Sequence, residues 1–208
     1  MLFSFFDTMS EKKQAITQAL KSSYSFQSYI ELIEHLHTGG KATIFQHNEE
    51  FFNYSKLNLT RMTRVYKKLD INQELSAKLE AISEPRVWVL ITESWCGDAA
   101  QTVPIIAKLA ELNPHITLHI VLRDSNEELM EHYLTNGGKS IPILAILDAD
   151  HNELAKWGPR PGEAQQKVID YKALPEPRPP YQEMSQQIQM WYNKDKGVST
   201  QAELLHLV

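Results

Sequence analysis

The chain has 208 residues, 42% of them apolar and 23% charged, enough for one well-cored domain with additions or two small ones. Its formal net charge of −5 argues against nucleic-acid binding, which needs a concentrated basic face. No stretch approaches the apolar length of a membrane span. Leu2-Phe3-Ser4-Phe5-Phe6 is too short for a signal-peptide core and runs straight into Asp7.

Residues 1–84 read as helical. Glu11 to Lys21 is one candidate helix, and Phe26 to His37 another, stopped by Gly39-Gly40. Asn58 or Thr60 is placed to cap a helix through Leu69, and Glu74 to Ile82 suggests a further one. No chemical constellation appears there, so the segment reads as an N-terminal helical extension. Pro85 ends it. Val87-Trp88-Val89-Leu90-Ile91-Thr92 is a continuous apolar run of the kind that forms a buried strand. A helix from about Asp98 to Leu112 follows, stopped at Asn113-Pro114, and Ile116 to Leu122 is a second strand. Asn126 is placed to cap a helix through Thr135 that ends at Gly137-Gly138. Pro142 to Leu147 is a third strand, and Asp150-His151-Asn152 turns into a fourth at Glu153 to Trp157. A last helix spans about Gly162 to Tyr171. The order β-α-β-α-β-β-α begins with a parallel crossover and ends in a hairpin. Leu174 to Pro180 holds four prolines and reads as a stiff connector. Beyond it, Tyr181, Met184, Ile188 and Trp191 share one helical face, a stripe suited to packing on the domain. The predicted organisation is thus 1–84, 85–173 and 174–208.

Cys96 is the only cysteine, which excludes an internal disulfide and suits a reducing compartment, with cytoplasm as the expected location. It lies in Ser94-Trp95-Cys96-Gly97-Asp98-Ala99, where the first strand hands over to a helix. A sulfur at a helix N-terminus gains from the dipole and the free N–H groups, which favour the thiolate. Asp98 opposes that. The dipole contributes about 0.3–1 kcal/mol at exposed sites, whereas like charges about 6 Å apart at an effective dielectric near 20 repel by roughly 3 kcal/mol before screening. Lys139 and Arg160 restore positive potential if they point inward. His115 with His119, and His35 with His37, lack a third ligand at recognisable spacing and read as solvent-facing, so no metal site is expected. No phosphate-cradling glycine motif and no cofactor signature is present.

The element order with Trp95-Cys96-Gly97 leading the first helix resembles the thioredoxin superfamily over about residues 85–172. Pro104 falls where that family kinks the active-site helix. Ser140-Ile141-Pro142 falls where it keeps a cis-proline facing the cysteine, and Trp157-Gly158-Pro159 where it has a glycine bordering the substrate groove. The resemblance implies a thioredoxin-like α/β sandwich with a mixed four-stranded sheet. It implies Cys96 as nucleophile at the groove, Trp95, Ile141, Pro142, Trp157, Gly158 and Pro159 as the groove's lining, and Ile141 as the backbone that pairs with a bound peptide.

Two departures change the implied chemistry. The family's resolving cysteine is Ala99 here, and the aspartate often buried six residues before the nucleophile is Leu90. Ala99 cannot attack a mixed disulfide, an intramolecular step that for well-placed groups corresponds to effective concentrations of about 10⁵ M or more. A dithiol reductase is therefore not expected. The leading expectation is a monothiol protein forming mixed disulfides through Cys96 with a small thiol or a cysteine-containing protein. The other is a redox-inactive binding module using the same groove; oxidant sensing through a sulfenic acid is a third. Oligomeric state is open.

Overall fold

The computed structural model describes residues 2–44, 46 and 48–208. Four helices come first: α1 (Leu2–Leu20), α2 (Phe26–Thr38), α3 (Glu49–Lys68) and α4 (Gln73–Glu80). They are followed by β1 (Arg86–Thr92), α5 (Ala99–Ala110), β2 (Ile116–Leu122), α6 (Glu127–Glu131), β3 (Ile143–Leu147), β4 (Glu153–Trp157), α7 (Gly162–Ala173), α8 (Tyr181–Asp195) and α9 (Val198–Leu205). The sheet order is β2-β1-β3-β4, with β1 parallel to β2 and antiparallel to β3, and β3 antiparallel to β4. Helices pack on both faces of this mixed sheet, giving the thioredoxin-like sandwich implied by the sequence.

Local chemistry explains the boundaries. Asn48 accepts the Phe51 N–H and starts α3 ten residues before the predicted cap at Asn58, which instead lies buried in mid-helix. Ser25 and Asn72 cap α2 and α4 in the same way. The helix predicted from Asn126 to Thr135 is only Glu127–Glu131, because Thr135 and Gly138 exchange backbone hydrogen bonds in a tight turn. Asn113 does more than stop α5. Its amide donates to the carbonyls of Leu79 and Ile82, fastening the end of α4 beneath the start of β2.

The core is continuous across the sheet and the N-terminal helices. Val89, Leu90 and Ile91 are fully buried with Ile16 of α1, Tyr29 and Ile33 of α2, Met62 of α3 and Leu75 of α4. Each such side chain contributes about 1.5–3 kcal/mol. Every residue of α5 except Lys108 is buried, so this helix runs through the interior, packed against β1, β2, α3, α4 and α9. Tyr24 pairs with Ile120 through two 2.8 Å backbone hydrogen bonds and covers part of the β2 edge.

The C-terminal stripe packs inward, with one correction. Met184, Ile188 and Tyr192 are buried against Ala164 and Val168 of α7, while Tyr181 is 63% exposed. Trp191 packs half-buried on the same cluster, so Tyr181 alone of the expected stripe lies outside it and Tyr192 joins it.

Candidate functional site

Cys96 sits between the end of β1 and the first turn of α5. Its thiol donates to the Ile141 carbonyl at 3.3 Å, and the Ala99 N–H points at the sulfur at 3.5 Å. The Ile141–Pro142 and Gly158–Pro159 peptide bonds are both cis. The two proline loops meet closely. Gly158 has φ +118°, and a Cβ there would run into the Pro142 carbonyl oxygen and press on Ile143. Gly158→Ala should therefore cost about 3 kcal/mol or more, since backbone cannot yield as a side chain can. Chemical denaturation checks this; a loss under about 1 kcal/mol would refute the constraint.

Cys96 is only 8% exposed and lines a cavity of about 630 Å³. Burial, and next the Asp98 carboxylate, push its pKa up to about 12. The Ala99 and Asp98 N–H groups and the Arg160 guanidinium pull the other way without prevailing. At neutral pH Cys96 is a thiol, and the helix start does not make it a thiolate.

Asp98 explains the electrostatics. The Arg160 Nε and Nη2 donate to Asp98 Oδ2 at 3.0 and 2.8 Å, and the Tyr192 hydroxyl donates to Oδ1 at 2.8 Å. Arg160 thus points inward, but its charge is committed to a carboxylate. Lys139 also borders the cavity, yet it pairs with Glu131 at 2.9 Å and reaches toward Glu127. Neither cation is free to serve the sulfur.

Of the residues expected in the groove, the cysteine motif or its electrostatic tuning, Trp95, Cys96, Gly97, Asp98, Lys139, Ile141 and Arg160 line the cavity. Pro142, Trp157, Gly158 and Pro159 do not; they form the supporting layer beside it. Trp157 turns its indole N–H to Glu203 of α9 at 2.6 Å, and the same carboxylate accepts the Gly162 N–H at 2.7 Å. Ala99 is buried in α5.

The remaining walls come from α3 and α8, outside the segment expected to carry the site. Helix α3 presents Phe51, Tyr54 and Arg61 to the cavity. Phe51 stacks on Trp95 with ring centroids 4.9 Å apart, and the Arg123 guanidinium lies over the other part of the Trp95 system, 4.8 Å from a ring centroid. Helix α8 closes the opposite side. Gln189 donates to the Gly97 carbonyl at 3.1 Å and accepts from Gln101 at 2.8 Å. These residues carry no motif. Their role follows from a crossing of helices distant in sequence.

Behind the motif runs a buried polar chain. His37 meets the Ser55 hydroxyl at 2.9 Å, Ser55 donates to Ser94 at 2.8 Å, and the Ser94 N–H donates to Thr43 at 2.8 Å. Thr43 donates to Glu93, whose other oxygen accepts the Asp124 N–H at 2.9 Å. Glu93 is 1% exposed, and burial lifts its carboxyl to about 7, against the pull of these donors. His37 and His119 are not solvent-facing: each is half-buried, hydrogen-bonded to a serine, and lowered in pKa chiefly by burial. A charged residue immediately after a fully apolar strand was the one available sign of this network.

The sheet, the proline loops and the cysteine-bearing helix start define a thioredoxin-fold protein with one thiol at its centre. The chain belongs to the thioredoxin family: the family model described as Thioredoxin matches residues 44–172, more than half of the sequence. That span begins well before the 85–172 of the sequence resemblance and takes in α3. Among solved structures, an HIV epitope-scaffold is similar with a TM-score of 0.60 and 15% identity, over 92% of this chain and 95% of the other. A protein of unknown function from Pseudomonas aeruginosa is similar with a TM-score of 0.54 and 16% identity, over 88% of this chain and 97% of the other. At such identities the likeness concerns the fold alone. No curated protein matches the chain.

Proposed function

We propose that this protein is a thioredoxin-fold binding module that uses the half-open pocket in its groove for a small molecule, with Cys96 held as a protonated thiol in the pocket's lining. The observation that carries this reading is the state of the sulfur: buried, donating to Ile141, and held near pKa 12. The walls support it. A peptide strand needs an open groove, whereas α3 and α8 stand on either side of this one. Loss of the resolving thiol at Ala99 removes the usual reason to keep the sulfur reactive.

Monothiol exchange is the second reading, favoured by the position of Cys96 in a cavity able to admit a small disulfide. In that step the Cys96 sulfur bonds to one sulfur of the disulfide. The other leaves with the electron pair of the broken S–S bond and takes up the Cys96 proton. A second thiol from solution must then release the adduct. Intact mass measurement after incubation with glutathione disulfide, and separately with cystamine, distinguishes the two. The binding reading expects unmodified protein after hours at neutral pH. A stoichiometric adduct that is absent in Cys96→Ser would overturn it in favour of exchange.

A further inference from the structure

Resting on the reading of the groove as a ligand pocket, we propose that its occupant is a small organic anion with a flat apolar body, its acidic group held by Arg61. Among the described residues the cavity borders on four cations, Arg61, Arg123, Lys139 and Arg160, and on one carboxylate, Asp98, in a protein of net charge −5. Three of the four are already paired: Arg160 with Asp98, Lys139 with Glu131, and Arg123 with Asp124 at 2.7 Å.

Arg61 is different. Among the described residues no carboxylate lies within ion-pair distance of it. Among the described residues, its one side-chain hydrogen bond is from Nη1 to Asn58 Oδ1 at 3.0 Å, and the buried Asn58 amide in turn donates to the Ser94 carbonyl at 2.9 Å. That bond ties the guanidinium to the segment carrying Trp95 and Cys96 and leaves most of its donors without a partner among the described residues. Burial, and next Arg64, lower its pKa. A half-buried, oriented and unpaired guanidinium is a ready partner for an anionic oxygen pair, which would form charge-assisted bonds there.

The rest of the lining selects the body of the ligand. Phe51, Tyr54, Trp95 and Tyr181 supply aromatic surface, and the Asp98 charge, which still disfavours an anion beside Cys96, is partly offset by Arg160 and Tyr192. Volumes of about 300–1,000 Å³ suit compact ligands.

The test is a titration of the full chain with 2-naphthoate, with the isosteric neutral 2-naphthamide, and with inorganic phosphate, followed by the Trp95 indole N–H resonance. The expected result is saturable binding of 2-naphthoate at least tenfold tighter than 2-naphthamide, with phosphate alone much weaker. Arg61→Met should erase the preference for the acid without weakening the amide, and Arg61→Lys should retain part of it. Equal affinity of acid and amide would overturn the anion inference while leaving the pocket reading intact. Survival of the preference in Arg61→Met overturns the role of Arg61. Phosphate binding as tightly as 2-naphthoate overturns the apolar body. Absence of any response up to about 10 mM overturns the inference and counts against the pocket as well.

Discussion

Iodoacetamide should modify Cys96 in the folded protein at neutral pH about a hundredfold more slowly than in the unfolded chain. The size of the effect follows from two opposed terms. Moving a thiol from the ordinary value to about 12 reduces its thiolate fraction by roughly a thousandfold, while the greater nucleophilicity of the more basic thiolate returns about twentyfold. Steric shielding by the cavity walls slows the reaction further. The same balance makes Asp98 a lever. Asp98→Asn removes the second largest influence raising the pKa and leaves the Arg160 charge directed at the sulfur, so alkylation should speed up by about tenfold. The variant should also lose about 3 kcal/mol of stability, since Arg160 is left without its partner. Stopped-flow alkylation against pH, run below the unfolding transition of each variant, gives both numbers. A wild-type rate equal to that of the unfolded chain would show that the thiol is neither buried nor raised.

The contribution of Glu93 to stability should fall, not rise, as pH increases from about 5 to 8, opposite in sign to that of the half-buried His37 and His119, and Glu93→Gln should remove it. The direction follows from the shift. A carboxyl raised to about 7 still holds its proton in the folded protein at pH values where the unfolded chain has lost it. Between the ordinary carboxyl value and 7 the folded state therefore binds more protons at Glu93, and its contribution drops as pH rises through that window. Over the whole window the loss is about 3 kcal/mol. Glutamine can keep the network, because the Thr43 hydroxyl can turn to accept from the amide while donating to Ser94, 3.1 Å away. The stability gap between Glu93→Gln and wild type should widen by about 3 kcal/mol from pH 5 to 8, equivalent to roughly 8 °C in Tm. Parallel pH profiles for the two proteins would refute the assignment.

How far the sequence carried these conclusions differs between sheet and site. Four strands were legible because an unbroken apolar run such as Val87–Ile91 has no other stable home than a buried strand, and turn residues such as Asp150-His151-Asn152 mark their ends. The proline loops and the cysteine were legible through their spacing. Burial of the sulfur was not, because it depends on α8 and α3, which reach the motif across a long separation in sequence. Gln189 against Gly97, Tyr192 against Asp98, and Phe51 against Trp95 leave no local pattern. Asn58 was misread as a helix cap for a related reason. Its type suits a cap, and only the position of Ser94 shows why an asparagine is needed in mid-helix.

The clasp of α8 over the motif separates what maintains this molecule from what adapts it. The β-sheet and α5 supply a rigid chassis, whereas the chemistry offered to a visitor is written largely on one face of α3 and one flank of α8, neither of which belongs to the sheet. Changing the cavity-facing positions of residues 181–195, with Met184, Ile188 and Tyr192 retained to hold α7 and Asp98, is therefore a route to re-tailoring selectivity while the scaffold beneath is kept.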